Sequence, residues 1–434
     1  MVPSLRSKAT GAGAPRWRRW LLVPTTLLTA LAVPWHLRLH TEGTGERDTE
    51  AHLAFVGRAL NEGAGPEMQR LFPEGDFFLH ALHGLAWAGY GMRHPPGSPA
   101  RRRAVVALEG ALEHLRGPEG RAPFPADLDP PYGVFWNGWT AWTEGVALAL
   151  GGPSGVSPAR AAALTARCDA LAGAFERAGT PFLEAYHGGS WPVDSTVAMA
   201  ALSLHDALLP PRYEAVRRRW VTMARTHEDP ATGLLPHRVQ AHTGRTLDGP
   251  RGSSSSVIDR FLPEADPVWG REHHRRFRAT LLRSRLGVPG VCEHPHGGGL
   301  GDVDSGPLVL GVSLSATVVA SAAATVQGDH FLGESLRGVM EAFGLPYSWR
   351  GRRRYGFGLL PVGDAFVVWA HTDRRWTHTP QAPPQEAHDG PGPWWRWRVH
   401  ALGALVLGLL WRLSWRRRAS SGLLQPPPGP PTPV

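Results

Sequence analysis

Carboxylates stand at two places where a loop leads into a helix of small apolar residues. The first is EAYHGGSWPVDSTVAMAALSLHDAL, residues 184–208, where Pro192 fits the first helical position and Asp194 falls in the first turn. The loop before that helix carries four more polar or aromatic side chains: Glu184, Tyr186, His187 and Trp191. These neighbouring side chains favour a role for Asp194 in proton transfer. An acidic residue at a helix N-terminus also stabilises the helix by about 0.3–1 kcal/mol, so a purely structural role stays open.

The second place is GGGLGDVDSGPLVLGVSLSATVVASAAATV, residues 297–326, where Pro307 predicts the start of the helix. Asp302 and Asp304 are two residues apart, so an extended loop points both carboxylates the same way. Paired carboxylates can raise one pKa and thereby supply a proton donor. The alternative is a loop ordered by Asx-turns, with its glycines at positive φ.

Aromatic residues mark a third helix start, PPYGVFWNGWTAWTEG, residues 130–145. Rings at helical spacing form either a core or the wall of a cavity that stacks sugar rings or apolar ligands. We therefore expect a substrate-binding surface from Tyr132, Trp136, Trp139, Tyr186, Trp191 and His296. The expected catalytic groups are Asp194 and Asp304, with support from Asp302, Glu184 and His187.

Other motifs are weak or missing. The stretch CEHPHG, residues 292–297, holds two histidines without helical spacing, so we expect no metal site. The sequence has no Gly-x-Ser-x-Gly elbow, P-loop, dinucleotide fingerprint or zinc-protease helix, and we expect no cofactor. The serine run 253–256 predicts a capping loop. Cys168 and Cys292 are compatible with one disulfide, although Cys168 lies mid-helix in ARCDALAGAF, which is typical of a buried apolar residue.

The elements that must position these residues are helices. Apolar residues recur at three- and four-residue spacing in ten stretches of the middle of the chain. Some, such as 213–227, are Arg-rich along one face and suit an outer layer, whereas 193–204 and 308–326 are small and apolar all round and suit an inner layer. This alternation predicts an all-α fold of antiparallel hairpins, an (α/α) toroid whose inner helices begin at one mouth. A stack of helical-repeat hairpins is the alternative. Residues 355–371 predict a late hairpin or a last irregular helix.

The formal charge of +9 does not indicate nucleic-acid binding, because of where the basic residues lie. Twelve of the 46 basic residues lie in residues 1–40 and 394–434, which hold no acidic residue. The middle of the chain therefore has 34 basic against 37 acidic residues. The positive excess flanks two apolar segments, which indicates membrane topology and excludes a phosphate-binding face as its explanation.

The two apolar segments predict membrane attachment at both ends. Residues 20–37 follow a basic stretch and have the form of a signal sequence, with an uncleaved signal anchor favoured over a removed signal peptide. Residues 394–416 carry tryptophans at both ends, which favours a short transmembrane span over an interfacial helix. Domain 41–390 would then lie outside the cytoplasm, on the periplasmic side. Residues 1–19 are the expected cytoplasmic N-terminus, and 417–434 are an expected Pro-rich disordered tail.

Three motifs in their order and spacing resemble the linalool dehydratase/isomerase domain family: SWPVDSTVAMAALSLHD, DPATGLLPHRV and GLGDVDSGPLVLGVSLSAT. The resemblance spans roughly residues 70–345. It implies an (α/α)6 barrel with a central cavity lined by Asp, His, Tyr and Trp. It also implies cofactor-free dehydration and isomerisation of a small terpene alcohol by acid/base side chains and a cysteine pair. That pair is not matched here, because Cys168 and Cys292 are distant in sequence.

Three functions are compatible with these residues, because a fold alone does not fix a function. The preferred one is a membrane-anchored, cofactor-free lyase/isomerase-like enzyme that acts on a small alcohol or apolar substrate with acid/base side chains. The second is a glycan-active hydrolase or lyase of the cell envelope, with two carboxylates about 5–10 Å apart. The third is a non-catalytic envelope protein that binds a lipid or peptide. The expected partners are the membrane and the substrate, with no nucleic acid; the oligomeric state stays open.

Overall fold

The computed structural model describes residues 17–39, 45–152, 157–377 and 394–419. Two compact units divide the chain: Glu42–Pro393 forms the large unit, and the two ends, Met1–Thr41 and Trp394–Val434, form the small unit. Within the described residues the secondary structure is mainly helical, with four two-stranded antiparallel hairpins. The predicted all-α class is confirmed.

The helices, numbered along the chain, are α1 (Trp17–Arg38), α2 (Glu46–Asn61), α3 (Ala64–Gln69), α4 (Gly75–Gly91), α5 (Pro99–Arg116), α6 (Pro118–Arg121), α7 (Gly133–Gly151), α8 (Pro158–Arg177), α9 (Pro192–Leu208), α10 (Glu214–Arg225), α11 (Gly252–Ala265), α12 (Pro267–Leu281), α13 (Leu314–Gln327), α14 (His330–Phe343), α15 (Pro361–Thr372) and α16 (Trp395–Ala419). The strands are β1 (Arg238–Val239), β2 (Thr246–Asp248), β3 (Leu282–Arg285), β4 (Val288–Val291), β5 (Leu308–Val309), β6 (Val312–Ser313), β7 (Tyr347–Trp349) and β8 (Arg352–Arg354). Consecutive strands pair as β1–β2, β3–β4, β5–β6 and β7–β8.

Six helices of the large unit contact one another in a closed series: α4, α7, α9, α11, α13 and α15. Each packs on the next along the chain, and α15 packs back on α4. A second set packs on one or two members of this series: α2, α5, α8, α10, α12 and α14. We call the closed series the inner helices and the second set the outer helices.

Small residues allow the inner helices to approach one another closely. In α9, Ala198, Ala200 and Ala201 have no exposed surface, as expected for a helix that is covered on all sides. Gly138 of α7 faces α9, and a Cβ added there would stand 3.2 Å from the backbone nitrogen of Ala198. Gly145, two turns later, faces the side chain of Leu204. These contacts explain why the apolar stretch 193–204 has so little side-chain volume.

Helix α11 was not predicted, because its first residues are the serine run 253–256. The structure buries all four serines, and the capping-loop prediction is wrong. Ser256 Oγ donates to the carbonyl oxygen of Ser253 at 2.9 Å, so this hydroxyl is satisfied by its own helix. Small polar residues can therefore fill an inner-helix position that apolar periodicity does not reveal.

The helix predicted to start at Pro307 starts later. Residues 308–313 form the β5–β6 hairpin, whose turn places Leu310 (φ 53°) and Gly311 (φ 80°) in the left-handed region. The helix α13 begins after Ser313, whose Oγ accepts a hydrogen bond from the backbone nitrogen of Ala316 at 3.1 Å. The stretch 355–371 contains a 3₁₀ turn at 356–358 and then α15, so its second interpretation, a last helix, is correct.

The small unit contains α1 and α16, which pack in antiparallel directions. Nδ1 of His36 lies 2.9 Å from Nδ1 of His400, and Trp411 Nε1 donates to Thr29 Oγ1 at 3.1 Å. Neither helix, nor any other in the described part of the chain, is long and apolar enough to cross a membrane.

The predicted spans at 20–37 and 394–416 are therefore not supported. Both helices are interrupted by residues that lower their hydropathy: α1 contains two prolines and three threonines, and α16 contains six arginines. The extracytoplasmic location of domain 41–390 stays a prediction. Of the predicted disordered tail 417–434, residues 420–434 lie outside the described residues, as do residues 1–16 of the predicted cytoplasmic N-terminus.

Candidate active site

The starts of three inner helices bring acidic and aromatic side chains together at one end of the large unit. Glu74 immediately precedes α4, Asp194 lies in the first turn of α9, and Arg251 immediately precedes α11. The loop between β4 and β5 reaches the same place with Asp304, whose charge acts on Asp194. We call Glu74, Tyr186, Asp194 and Asp304 the carboxylate cluster.

Asp194 is the most deeply buried acid of the carboxylate cluster, with 6% of its surface exposed. Burial raises the pKa of its carboxyl well above the usual range, and the charges of Glu74 and Asp304 raise this pKa further. A carboxylate here would be a desolvated anion beside two other anions. Both effects favour the protonated form of Asp194.

Glu74 and Tyr186 form a hydrogen-bonded pair within the carboxylate cluster, in which the Tyr186 hydroxyl donates to Glu74 Oε1. Burial raises the pKa of Glu74, and the hydrogen bond from Tyr186 opposes this effect. Burial and the charge of Glu74 also raise the pKa of Tyr186, so the phenol keeps its proton. The Tyr186 ring packs against Phe124 at 5.7 Å and against the edge of Trp191 at 6.2 Å between centroids.

Asp302 anchors the loop that carries Asp304. Its Oδ2 lies 2.6 Å from Nη2 of Arg251, and its Oδ1 accepts hydrogen bonds from the backbone nitrogens of Asp304 and Ser305, both at 3.1 Å. Partial burial acts in the opposite direction, but Arg251 lowers the pKa of Asp302 to about 2. The Asx-turn interpretation of the sequence is thus correct for Asp302, which is an ionised structural residue.

Arg251 is itself held by Glu293, which is completely buried. Arg251 Nε donates to Glu293 Oε1 at 2.7 Å. The same carboxylate accepts hydrogen bonds from the backbone nitrogen and Oγ of Ser253 at 3.0 and 2.7 Å. Glu293, Arg251 and Asp302 therefore connect the start of α11 to the loop, and we call them the loop anchor.

Asp304 differs from Asp302 in both exposure and protonation. About half of its side chain, 51%, is exposed, and Oδ2 lies 3.9 Å from His237 Nε2. Partial burial and the charges of Asp302 and Glu74 raise the pKa of Asp304 to about 6. His237 bonds to Ser254 Oγ through Nδ1 at 2.9 Å, and burial lowers its pKa to about 4, so it is neutral at pH 7. Asp304 is mostly ionised at that pH and can exchange a proton near neutrality.

Glu184 and His187 make contacts within their own loop and with its neighbour, not with the carboxylate cluster. Glu184 Oε1 accepts a hydrogen bond from the backbone nitrogen of Gly188 at 2.8 Å. His187 Nε2 lies 3.0 Å from Asp127 Oδ1, and 61% of the His187 side chain is exposed. The structure therefore gives these two residues a role in shaping the loop.

The predicted aromatic wall is largely core. Trp136 is buried, donates from Nε1 to the carbonyl oxygen of Leu115 at 2.9 Å, and is covered by Arg167, whose guanidinium lies 4.4 Å from the ring. Trp139 is buried among aromatic rings, with Phe261 at 5.1 Å. Tyr132, at the start of α7, is partly exposed beneath the guanidinium of Arg121 at 5.5 Å.

Trp191 is the aromatic residue that combines partial exposure with contact to the carboxylate cluster. Its ring meets Tyr186 on one side, and the guanidinium of Arg238 lies 5.5 Å from it. His296 is exposed in the loop between β4 and β5. This loop also borders an open cleft of about 430 Å³, lined by Arg285, Leu300, Leu308, Leu310 and glycines 298, 299, 301 and 311. The cleft lining contains none of the cluster's carboxylates.

Sequence reasoning missed Glu74, His237 and Arg251. Glu74 could have been found from the sequence, because it lies at the start of an inner helix, as Asp194 does. His237 lies just before the two-residue strand β1, and Arg251 precedes the unpredicted α11, so neither had a periodic signal. Cys168 and Cys292 are both buried and free, so the disulfide compatible with the sequence is absent.

Compared with protein-family models and with curated proteins, the chain matches none. The likeness of its three motifs to the linalool dehydratase/isomerase domain family therefore stays a prediction.

Proposed function

We propose that the large unit is an (α/α)6-toroid enzyme of the lyase/isomerase type, with Asp194 as general acid and Asp304 as general base. The observation that carries this proposal is the pairing of a buried aspartate with a neighbouring, half-exposed one. Burial and nearby anions favour the protonated form of Asp194, whereas Asp304, with a pKa of about 6, is mostly ionised at pH 7. One acid and one base within reach of the same substrate are the requirement for elimination.

In the proposed reaction Asp194 donates its proton to the hydroxyl oxygen of a small alcohol, and the C–O bond breaks to release water. Asp304 takes a proton from the neighbouring carbon, and the C–H electron pair becomes the new C=C bond. Asp194 is then a carboxylate and Asp304 a carboxylic acid, so a proton must return from Asp304 to Asp194, directly or through water, before the next turnover. The charge of the reacting groups is unchanged over the cycle.

Tyr186 and Glu74 supply the remaining polar surface. The phenol keeps its proton and donates to Glu74, so the pair is a fixed dipole beside Asp194. The negative charge of Glu74 raises the pKa values of both Asp194 and Asp304. Glu74 therefore adds to the effect of burial on the pKa of the acid and moves the pKa of the base toward 7, which suits general acid–base catalysis near neutral pH.

The toroid assignment is supported by the closed series of inner helices and by the outer helices packed on it. The active-site residues precede or begin inner helices, as expected if those helices start at one mouth. A stack of hairpins would leave its first and last repeats apart, whereas α15 contacts α4.

A glycan-active hydrolase or lyase is the second candidate. It is favoured by the half-exposed side chains of Asp302 and Asp304 and by the partly exposed Trp191 with Arg238, since a polar, open site suits a sugar better than an apolar alcohol. In that reaction Asp194 would protonate the glycosidic oxygen.

The test is turnover by the purified protein with two substrate sets: small tertiary alcohols including linalool, followed by gas chromatography, and envelope-type oligosaccharides, followed by new reducing or unsaturated ends. We expect Asp194→Asn and Asp304→Asn each to lower kcat by about 10²–10⁴-fold, because each removes one proton-transfer group. The matched control is Asp127→Asn, which removes an exposed carboxylate paired with His187 and keeps full activity.

The substrate set that is turned over decides between the two candidates. Equal activity of Asp194→Asn, Asp304→Asn and the wild type would contradict both, and binding of a lipid or peptide without turnover would support the non-catalytic alternative.

A further inference from the structure

A second cluster of polar side chains lies between α4 and α5 and has no role in the proposed reaction. Asp76 lies in the first turn of α4, and His80 follows one turn later on the same face. His114 comes from the last turn of α5, which runs antiparallel to α4, as shown by Gly84 against Ala111 and Gly91 against Ala104. The spacing of four residues and the antiparallel helix thus bring one carboxylate and two imidazoles together.

The three side chains present their ligand atoms to one point. His114 Nε2 lies 2.6 Å from Asp76 Oδ2, and His80 Nε2 lies 3.6 Å from Asp76 Oδ1. One ligand atom from each residue lies within 4.8 Å of the other two. Ligand atoms that lie about 2.0–2.2 Å from a tetrahedral metal ion are about 3.3 Å from one another. Rotations of the three side chains can bring their ligand atoms to this separation.

The two imidazole rings are stacked face to face. Their ring centroids are 3.6 Å apart and their planes differ by 12°. About a fifth of each side chain is exposed, 22% for His80 and 23% for His114, so an ion and a water molecule can reach the nitrogens from solvent.

An unpartnered oxygen is an independent sign of a missing ligand. The Asp76 side chain is only 6% exposed, and its Oδ1 is buried without a hydrogen-bond donor. Leaving a buried carboxylate oxygen unpaired costs about 1–3 kcal/mol or more. The backbone leaves space for this oxygen at Gly65, where an added Cβ would overlap Oδ1. A cation would satisfy the oxygen that the protein leaves without a donor.

A second group of histidines and aspartates in the large unit differs from this one, because its carboxylates are paired with side chains of the protein. His274 bonds to Asp259 through Nδ1 at 2.8 Å and to Asp329 through Nε2 at 3.3 Å. Asp329 also pairs with Arg278 at 2.7 Å. Both ring nitrogens of His274 are occupied by carboxylates, so this imidazole has no nitrogen to offer to a metal ion.

We propose that Asp76, His80 and His114 bind one divalent first-row transition-metal ion and leave at least one coordination position open to water. Two imidazoles and one carboxylate form the ligand set of open zinc sites and of non-haem iron(II) sites. Zn²⁺ and Fe²⁺ both accept this ligand set, and their relative affinities for the protein identify which ion the site binds. The site shares no residue with the carboxylate cluster, although Asp76 follows Glu74 by two residues, and metal binding is measured directly, so its test does not depend on the proposed function.

The experiment uses the full-length chain, freed of metal with a chelator and titrated calorimetrically with Zn²⁺ and, under anaerobic conditions, with Fe²⁺. We expect one equivalent of one or both ions to bind. Asp76→Asn, His80→Ala and His114→Ala are expected to lower the affinity by about 100-fold or more, since loss of outer-shell partners alone costs about 10–100-fold. The matched control, His187→Ala, removes a histidine from the exposed pair with Asp127 and is expected to bind as the wild type does.

Circular dichroism and thermal unfolding in the presence of chelator show which variants fold. A second measurement needs no variant: X-ray absorption of the metal-loaded wild type is expected to show two imidazoles and only nitrogen or oxygen donors. Absence of stoichiometric binding of either ion by the wild type would overturn the proposal. So would a sulfur ligand in the absorption spectrum, or wild-type affinity in the folded His80→Ala and His114→Ala proteins.

Discussion

Three aspartates of one site have three protonation behaviours because their surroundings differ. Asp194 is buried near other anions, which raises its pKa well above the usual range, while Asp302 is paired with Arg251 and stays ionised. Asp304 lies between these extremes, with a pKa of about 6. The side-chain chemistry is identical in all three, so desolvation and neighbouring charge decide which can be an acid, a base or an anchor.

The pKa of Asp304 predicts the acid limb of the pH profile. If Asp304 is the base, activity requires its ionised form, so kcat/KM should rise tenfold per pH unit below pH 6 and level off above it. Activity should fall again only at a pH where Asp194 loses its proton. Steady-state rates between pH 4 and 9 check this prediction.

The protonation assignment also predicts the effect of the neighbouring anion. Glu74→Gln removes a charge that raises the pKa of Asp304, so the acid limb should move to lower pH. Asp127 is not among the charges that shift the pKa of Asp304, so Asp127→Asn should leave the limb near pH 6. An unchanged limb in Glu74→Gln would show that another group controls the profile.

At the residue scale the sequence indicates candidates but not their partners. Asp194 was predicted because Pro192 marks the helix start, and Asp302 and Asp304 because of their spacing. Asp302 anchors the loop and Asp304 is the proposed base. This difference depends on Arg251, which is distant in sequence and is held by the buried Glu293. No local pattern encodes that contact, because it forms only when α11 and the loop pack together.

At the scale of elements, the loop anchor is what fixes the long loop between β4 and β5. Arg251, Glu293 and Asp302 connect the first residues of α11 to this loop, and Ser313 and Ser315 hold its far side by donating to the carbonyl oxygens of Ser305 and Asp304, both at 2.7 Å. A glycine-rich segment that is conformationally free in the unfolded chain is thereby ordered from both sides.

Removing the buried charge of the loop anchor should destabilise the large unit. Glu293→Gln removes the buried counter-ion of Arg251 and leaves it paired with the half-exposed Asp302, so the expected loss in the free energy of unfolding is about 1–3 kcal/mol. The matched control is Asp129→Asn, which breaks the exposed pair with Arg177 and should leave the stability almost unchanged, because solvent screens that pair.

Denaturant unfolding of both variants gives the two values, and limited proteolysis between residues 297 and 306 reports on the loop itself. Equal stability of Glu293→Gln and Asp129→Asn would mean that the anchor does not hold the loop.

The elements were predictable where burial follows a 3.6-residue period and not elsewhere. The stretches 134–150 and 193–209 correspond to α7 and α9 within one or two residues. The start of α13 was misplaced at Pro307, because proline suits the residue before a strand as well as the first turn of a helix, and the positive φ of Leu310 is not visible in a periodicity. The hairpins are too short for their alternation to be recognised.

At the scale of the whole molecule, the large unit depends on the contact that closes its inner series. Gly89 of α4 lies against the carbonyl oxygen of Thr372, the last residue of α15, and a Cβ there would overlap that oxygen. Backbone atoms cannot move aside as a flexible side chain can. The closing contact is therefore one of the most tightly packed in the protein.

Gly89→Ala should destabilise the large unit by about 1–3 kcal/mol through overpacking at this contact. Gly110→Ala is the matched control: it lies in the outer helix α5 with nothing within 4 Å of an added Cβ, and it should stabilise the protein by about 0.5–1 kcal/mol. Thermal unfolding of the two variants, followed by circular dichroism, measures changes of opposite sign. A stabilised Gly89→Ala protein would show that α4 and α15 do not meet as described.

The contact between α4 and α15 also has a consequence for the order in which the protein can form on the ribosome. Helix α4 is the first inner helix to emerge and α15 is the last. Until residues 361–372 have left the exit tunnel, the face of α4 that packs on α15 is uncovered, whereas its other neighbours, α2, α3, α5 and α7, have already been made. The inner series therefore closes late, over a long separation in sequence, and until then the uncovered face of α4 is the surface that a chaperone would have to shield.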